Sequence, residues 1–176
     1  MSLQNLYKFH AYASVFFLPV ALLFVVSGVA FLLGFNANSG AQITKWSAPL
    51  APKEKELEFL LDFLKQKNIA LPSKIEPRRH KGALLIGTAG YEINLSAKGD
   101  RSVITSIRRS ALGVIMQVHK GKAGKALEIW GIIFGVFLCL FYVSGLLMGF
   151  KRKNTKGIFI AFILGLSTLG SLLALA

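Results

Sequence analysis

The stretch "VHKGKAGKALEIWGIIFGVFLCLFYVSGLLMGFKRK", residues 118–153, decides the fold of this 176-residue chain. It opens with a histidine and a basic, glycine-containing segment, runs without charge from residue 129 to residue 150, and ends in three basic residues. A helix needs about 20 mostly apolar residues to cross the hydrocarbon core of a bilayer. We therefore predict one unit over 118–150, a basic juxtamembrane segment followed by a transmembrane helix.

Two further apolar segments flank this unit. No charge occurs between Lys8 and Lys45, and residues 157–176 are uncharged throughout. The first segment is much longer than the apolar region of about 7–15 residues that a secretory signal peptide carries. We therefore predict a retained first transmembrane helix within 1–35 and a third one over 157–176.

The charged residues are concentrated in the middle of the chain. All eight acidic residues and 16 of the 21 basic residues lie between Lys45 and Glu128. The net charge of +13 would suit a nucleic-acid-binding protein, but the short basic runs, such as residues 78–81, come without a recognisable nucleic-acid-binding motif. We predict no nucleic-acid partner, and instead a polar domain over 36–117 whose basic surface suits a bilayer with anionic lipids.

The orientation follows from the short segment 151–156, "KRKNTK", which carries four positive charges between the second and third helices. Short loops rich in lysine and arginine stay in the cytoplasm, whereas loops longer than about 60 residues cross the membrane largely regardless of charge. We therefore predict that segment 151–156 and the N-terminus are cytoplasmic. The polar domain and the C-terminus are then expected on the outer side.

The polar domain shows two periodicities. Leucines 57, 60, 61 and 64 follow the i, i+3, i+4, i+7 spacing of an amphipathic helix. The segments "YEINLSA" and "RSVITSIRRS" alternate apolar and polar residues on either side of the turn "KGD", and "GALLIG" precedes them as a further strand. We predict an α+β membrane protein, in which a small helix-plus-antiparallel-sheet domain lies between the first two of three transmembrane helices. Its serines lack a paired base and its carboxylates are scattered, so we expect binding or regulation rather than catalysis.

Two sets of residues around the second helix are candidates for contacts. Lys120, Lys122 and Lys125 precede the apolar span and are predicted to hold lipid phosphates. The other set is a stripe of glycines with GxxxG spacing along one helix face, which lets another helix approach closely: Gly131, Gly135, Gly145 and Gly149. The stripe is predicted to pack this chain's own helices, with homodimerisation as the alternative.

The order of these parts resembles the family of PepSY-associated transmembrane proteins. The resemblance rests on "YKFHAYASVFFLPVALLFVVSGVAFLLGF", with Ser27-Gly28 near its end, and on residues 118–153, with Ser144-Gly145 before the basic residues. It implies a PepSY domain between the helices, on the outer side of a bacterial inner membrane. It also implies an accessory role, with a ferric-siderophore system or an envelope peptidase as partner.

His10 and His119 fall on the histidine positions of that family. Some longer members resemble ferric-siderophore reductases in which membrane histidines hold b-type haem, although such members generally have a fourth helix with further histidines. In the predicted topology His10 and His119 lie at opposite membrane edges, about 30 Å apart, so they cannot share one iron within one chain. Haem would need a second copy or a membrane partner. The alternative is that both histidines are interfacial residues at the headgroups, and this reading favours a non-catalytic accessory protein over a haem-bearing reductase subunit.

Overall fold

The structure is a computed structural model that describes residues 2–151 and 155–175. Residues 152–154 of the predicted cytoplasmic loop therefore lie outside the described residues. In chain order the elements are α1 (Leu3–Leu32), β1 (Gln42–Pro49), α2 (Glu56–Gln66), β2 (Arg78–His80), β3 (Ala83–Gly87), β4 (Tyr91–Lys98), β5 (Arg101–Arg108), α3 (Ala111–His119), α4 (Lys125–Lys151) and α5 (Thr155–Ala174).

Three of the helices, α1, α4 and α5, are long and apolar enough to cross a membrane. The chain is therefore a multi-pass membrane protein, as predicted. The end of α1 is set by Gly34, whose φ of +87° is a left-handed conformation that glycine adopts without strain. The Gly34 N–H donates to the Phe31 carbonyl and the Phe35 N–H donates to the Ala30 carbonyl, which satisfies the last carbonyls of the helix.

Between α1 and α4 in the chain lies the sheet domain, which we define as residues 41–119. Its five strands are all antiparallel, in the order β1-β5-β4-β3-β2. The amphipathic helix α2 packs on one face, where Leu60 and Leu64 are fully buried against Ile86, Ile93 and Ile104. The predicted mixture of helix and antiparallel sheet is confirmed. Because neighbours along a strand alternate between faces, Leu85, Glu92 and Asn94 point away from α2.

Sequence periodicity missed both outer strands of the sheet. β1 pairs only with β5, and most of its residues are exposed, so no buried alternation marks it. β2 has three residues, all exposed, and two of them are arginines. Short, charged strands are typical of sheet edges, where they discourage pairing with another chain.

Helix α3 follows β5 and contains Met116 and His119. The hydroxyl of Ser110 caps it by accepting a hydrogen bond from the Gly113 N–H at 3.1 Å. The helix runs across the predicted boundary at residue 117 and ends at His119, and a turn then leads into α4.

The chain divides into two compact units, and both α1 and α4 contribute to each of them. One unit contains the part of α1 up to Ala21 and the chain from Ile132 onward. In it Phe17 is buried, and its ring lies 4.8 Å from the Phe137 ring and 6.1 Å from the Phe141 ring, centroid to centroid.

The other unit runs from Leu22 to Gly131 and includes the sheet domain.

Candidate functional site

His10 is paired with a serine on another membrane helix. Its Nδ1 lies 2.8 Å from the Ser144 hydroxyl oxygen, and that hydroxyl donates to the Phe141 carbonyl at 3.0 Å. If the single hydrogen of this hydroxyl goes to the Phe141 carbonyl, the Ser144 oxygen accepts from the Nδ1–H of His10, and the tautomer of His10 follows from that assignment. This tautomer leaves the lone pair of the neutral imidazole on Nε2, the nitrogen that remains available to a metal or another donor.

An apolar groove adjoins His10. Its volume is about 380 Å³, and it is lined by His10, Leu138, Phe141, Tyr142, Gly145 and Leu146. The His10 ring meets the Phe141 ring edge-on, with 5.8 Å between centroids. At Gly145 a Cβ would have no heavy atom of the described chain within 4 Å, so the glycine leaves this wall of the groove open. The groove is thus an apolar recess with one imidazole in its lining, which is a common composition for a ligand site.

His119 makes the same kind of hydrogen bond in the other unit. Its Nδ1 lies 2.7 Å from the hydroxyl oxygen of Ser27, which is completely buried. The one hydrogen of that hydroxyl is shared between the carbonyls of Leu23, at 2.7 Å, and Phe24, at 3.1 Å, and with the hydrogen so placed Ser27 also accepts from a histidine Nδ1–H. The His119 ring lies 5.0 Å from the Phe24 ring, and the residue as a whole is exposed.

The two serines were not identified as partners from the sequence. Both had been noted only as members of the Ser27-Gly28 and Ser144-Gly145 pairs. A hydroxyl in an apolar helix must find an acceptor, and serine commonly uses the carbonyl three or four residues back. With its hydrogen on that carbonyl, the serine oxygen can accept a hydrogen bond from another helix. A serine within an apolar helix is therefore the sequence signal for such a partner.

The three candidate lysines have different surroundings. The Lys125 ammonium lies 3.1 Å from a carboxylate oxygen of Glu128, and the Lys120 ammonium lies 5.3 Å from the centroid of the Phe31 ring. Lys122 instead lines a cavity of about 380 Å³, bounded by β2, by α3 and by the sheet face opposite α2. Only Lys122 of the three belongs to that cavity. Contact of these lysines with lipid phosphates stays a prediction.

The glycine stripe is not uniform either. A Cβ at Gly131 would lie 3.5 Å from the Phe24 ring, and one at Gly149 would overlap the Ile158 side chain. At Gly135 and Gly145 nothing in residues 2–151 and 155–175, apart from the helix's own backbone, lies within 4 Å of that position. The described chain therefore supplies close neighbours for the ends of the stripe and not for its middle. Packing of the chain's own helices along the stripe and the alternative, homodimerisation through it, both stay predictions.

A metal site made only of protein side chains is not seen: within the described residues no group of three histidine, cysteine, aspartate or glutamate side chains could hold an ion. Cys139 is exposed on α4. Haem is a different case, because its porphyrin supplies four ligands and the protein needs to add only one or two.

Comparison with known proteins identified one family. A family model described as "PepSY-associated TM region" matches residues 3–153, which include α1, the sheet domain, α4 and both histidines. A search of curated proteins and a search of solved structures returned no match. Since the family model covers most of the chain, the protein belongs to the PepSY-associated TM region family.

Proposed function

We propose that this protein binds b-type haem through His10 and acts as a membrane subunit of a ferric-siderophore reductase-like electron-transfer system. The observation that carries the proposal is the state of His10: its Nδ1–H is held by Ser144, and it lines an apolar groove. Metal-bound histidines almost always donate their second ring N–H to a neighbouring oxygen, which fixes the tautomer and the ring orientation. Ser144 performs this role for His10.

The residues around His10 fit a haem in two respects, their apolar surface and the room that they leave. Leu138, Phe141 and Leu146 offer the apolar surface that a porphyrin face requires and keep water from the iron. Gly145 leaves room beside the imidazole for a flat ring. When bound, the haem would supply one-electron chemistry between iron(III) and iron(II). His10 would hold the haem iron, and Ser144 would keep that imidazole in position.

A second imidazole that would hold the haem would come from another molecule. With the predicted topology, His119 lies at the opposite membrane edge, so we propose His10 of a second copy instead. Gly135 supports this arrangement, because it lies outside the groove and no other helix of the described chain comes close to it. The protein would then be a homodimer in a bacterial inner membrane, with its N-terminus in the cytoplasm and the sheet domain, which would be the PepSY domain, outside.

The test is the visible absorption spectrum of the protein purified in detergent from cells with ample haem. The wild type should be red, and dithionite should sharpen a band typical of six-coordinate haem. His10→Ala should lose that band. His80→Ala is the matched control and should keep it, because His80 lies on the exposed strand β2. A colourless wild type would show that no haem is bound and would overturn the proposal.

The second candidate is an accessory protein without a cofactor, acting in iron acquisition or on an envelope peptidase. It is favoured by the fact that each histidine already has a serine partner, so both have a structural role without iron. In that case the wild type is colourless and His10→Ala and Ser144→Ala lower the melting temperature by similar amounts. The double variant should then be no worse than either single variant, because both remove the same hydrogen bond.

A further inference from the structure

We propose that the sheet domain contains a binding site for a phosphodiester that carries a hydrogen-bond donor, as the headgroup of phosphatidylglycerol does. The site is the cavity between β2, α3 and Lys122, which we call the basic cavity. Its lining combines charged donors at the rim with an unused acceptor in the wall. The inference concerns the sheet domain and the turn that follows α3, and it is independent of haem binding at His10.

The floor of the basic cavity is a buried and neutral network. The Arg109 Nη2 lies 3.2 Å from a carboxylate oxygen of Glu92, and their side chains are 5% and 13% exposed. Arg109 also donates to the Ala89 carbonyl at 3.0 Å. With the Gln117 amide turned so that its oxygen faces the guanidinium, that oxygen accepts from Nη2 at 3.0 Å and from Nε at 3.2 Å. The charge of Arg109 is therefore balanced by Glu92 inside the protein.

The rim carries surplus positive charge. Arg79 is paired with Glu56 at 2.6 Å, but neither Arg78 nor Lys122 has a carboxylate within 4.0 Å in the described part of the chain. Arg78 gives one N–H to the Gly87 carbonyl at 3.0 Å and keeps its remaining donors. Two unpaired cations on one cavity favour an anion, and phosphate oxygens are strong acceptors for both kinds of side chain.

The wall of the basic cavity contains a hydrogen-bond acceptor that lacks a donor. The Oδ1 atom of Asn94 is buried and has no hydrogen-bond partner among the described residues. A buried acceptor without a partner is costly, because it has lost its bonds to water. Asn94 lines the basic cavity, so a rotation of its amide would bring Oδ1 to the cavity, where a ligand O–H or N–H group could satisfy it. An anion with a hydroxyl group meets both demands, whereas a choline headgroup has no donor.

A lipid is the source that the position of Lys122 favours. Lys122 lies three residues before the start of the membrane-spanning helix α4 at Lys125. Lys120, in the same turn, places its ammonium over the ring of Phe31, in the last turn of α1. One wall of the basic cavity is therefore at the level where spanning helices leave the hydrocarbon, and this is where phospholipid headgroups lie.

The experiment measures lipid binding to the delipidated full-length protein by native mass spectrometry, with two anionic lipids compared. Phosphatidylglycerol carries headgroup hydroxyls, and phosphatidylethanol has the same charge without them. We expect tighter binding of phosphatidylglycerol. Lys122→Gln and Arg78→Gln should each weaken it about fivefold, as the loss of one cation near an anionic headgroup predicts. Asn94→Leu should abolish the preference between the two lipids.

Two variants serve as controls. Lys65→Gln should leave binding unchanged, because Lys65 lies on α2, on the opposite face of the sheet from the basic cavity, and Lys122→Arg should retain it, because it keeps the charge. Equal losses in Lys122→Gln and Lys65→Gln would mean diffuse attraction to the basic surface and would overturn the proposal. Displacement of the lipid by an equal concentration of glycerol phosphate would identify a soluble phosphate ester as the ligand and would overturn the lipid source.

Discussion

His10 and His119 make the same hydrogen bond in different surroundings. In both pairs the histidine Nδ1–H is accepted by a serine that donates to its own helix and is followed by glycine. His10 is half-buried beside an apolar groove, whereas His119 is exposed next to a basic turn. The hydrogen bond to a serine is therefore common to both histidines, and the surroundings of the imidazole distinguish His10 from His119.

The largest expected effect concerns the side of the membrane on which each histidine lies. Alkaline phosphatase is active only outside the cytoplasm, so a fusion after Ser73 should be active and one after Asn154 should be silent. This result follows from the four positive charges of segment 151–156. It would place His119 at the outer edge and His10 at the cytoplasmic edge. Activity only in the Asn154 fusion would reverse both assignments.

The next effect separates the groove from the rest of α4. Gly145→Leu should remove most of the bound haem, because the new side chain fills the groove beside His10. Gly135→Leu is the comparison on the same helix and should lower the haem content less, since Gly135 lies in the proposed contact with a second copy but is not part of the groove lining. The haem-to-protein ratio measures both. Equal haem content in the two variants would show that the groove does not hold the cofactor.

A smaller effect is expected when the serines are replaced. Ser144→Ala should weaken haem binding by about 10–100-fold, as the loss of a hydrogen-bond partner behind a ligand usually does, and Ser27→Ala should not. Both should lower stability by about 0.6 kcal/mol, and at most about 1.7 kcal/mol, because each removes one bond between membrane helices. Haem titration and thermal melting give the two values.

Ser171→Ala is the matched control for these variants. Its hydroxyl donates to the Ser167 carbonyl within α5, so its removal should change neither quantity. Similar losses of haem affinity in Ser27→Ala and Ser144→Ala would make the two histidine sites equivalent and contradict the comparison.

The sequence predicted the parts of the fold that show a long apolar run or a regular spacing of apolar residues. Long apolar runs predicted α1, α4 and α5, and the leucine spacing predicted α2. β1 and β2 show neither pattern, because edge strands with exposed side chains need no alternation of apolar and polar residues. Their positions depend on pairing with β5 and β3, which only the folded domain supplies.

The candidate site was predictable only in part, for a related reason. The two histidines stood out by residue type and by family resemblance, but their serine partners are 134 and 92 residues away in the chain. No local pattern connects residues at such separations. The basic cavity was hidden in the same way, because Lys122 lines it together with Arg78, Asn94 and Gln117, which come from separate elements.

The most direct test of the account compares His10→Ala with His119→Ala, followed by addition of imidazole to each purified variant. We expect His10→Ala to lose the six-coordinate haem band and to regain it when free imidazole, supplied together with haem, enters the space left in the groove. His119→Ala should keep the band throughout. Loss of the band in His119→Ala with its retention in His10→Ala would contradict the assignment of the haem ligand to His10.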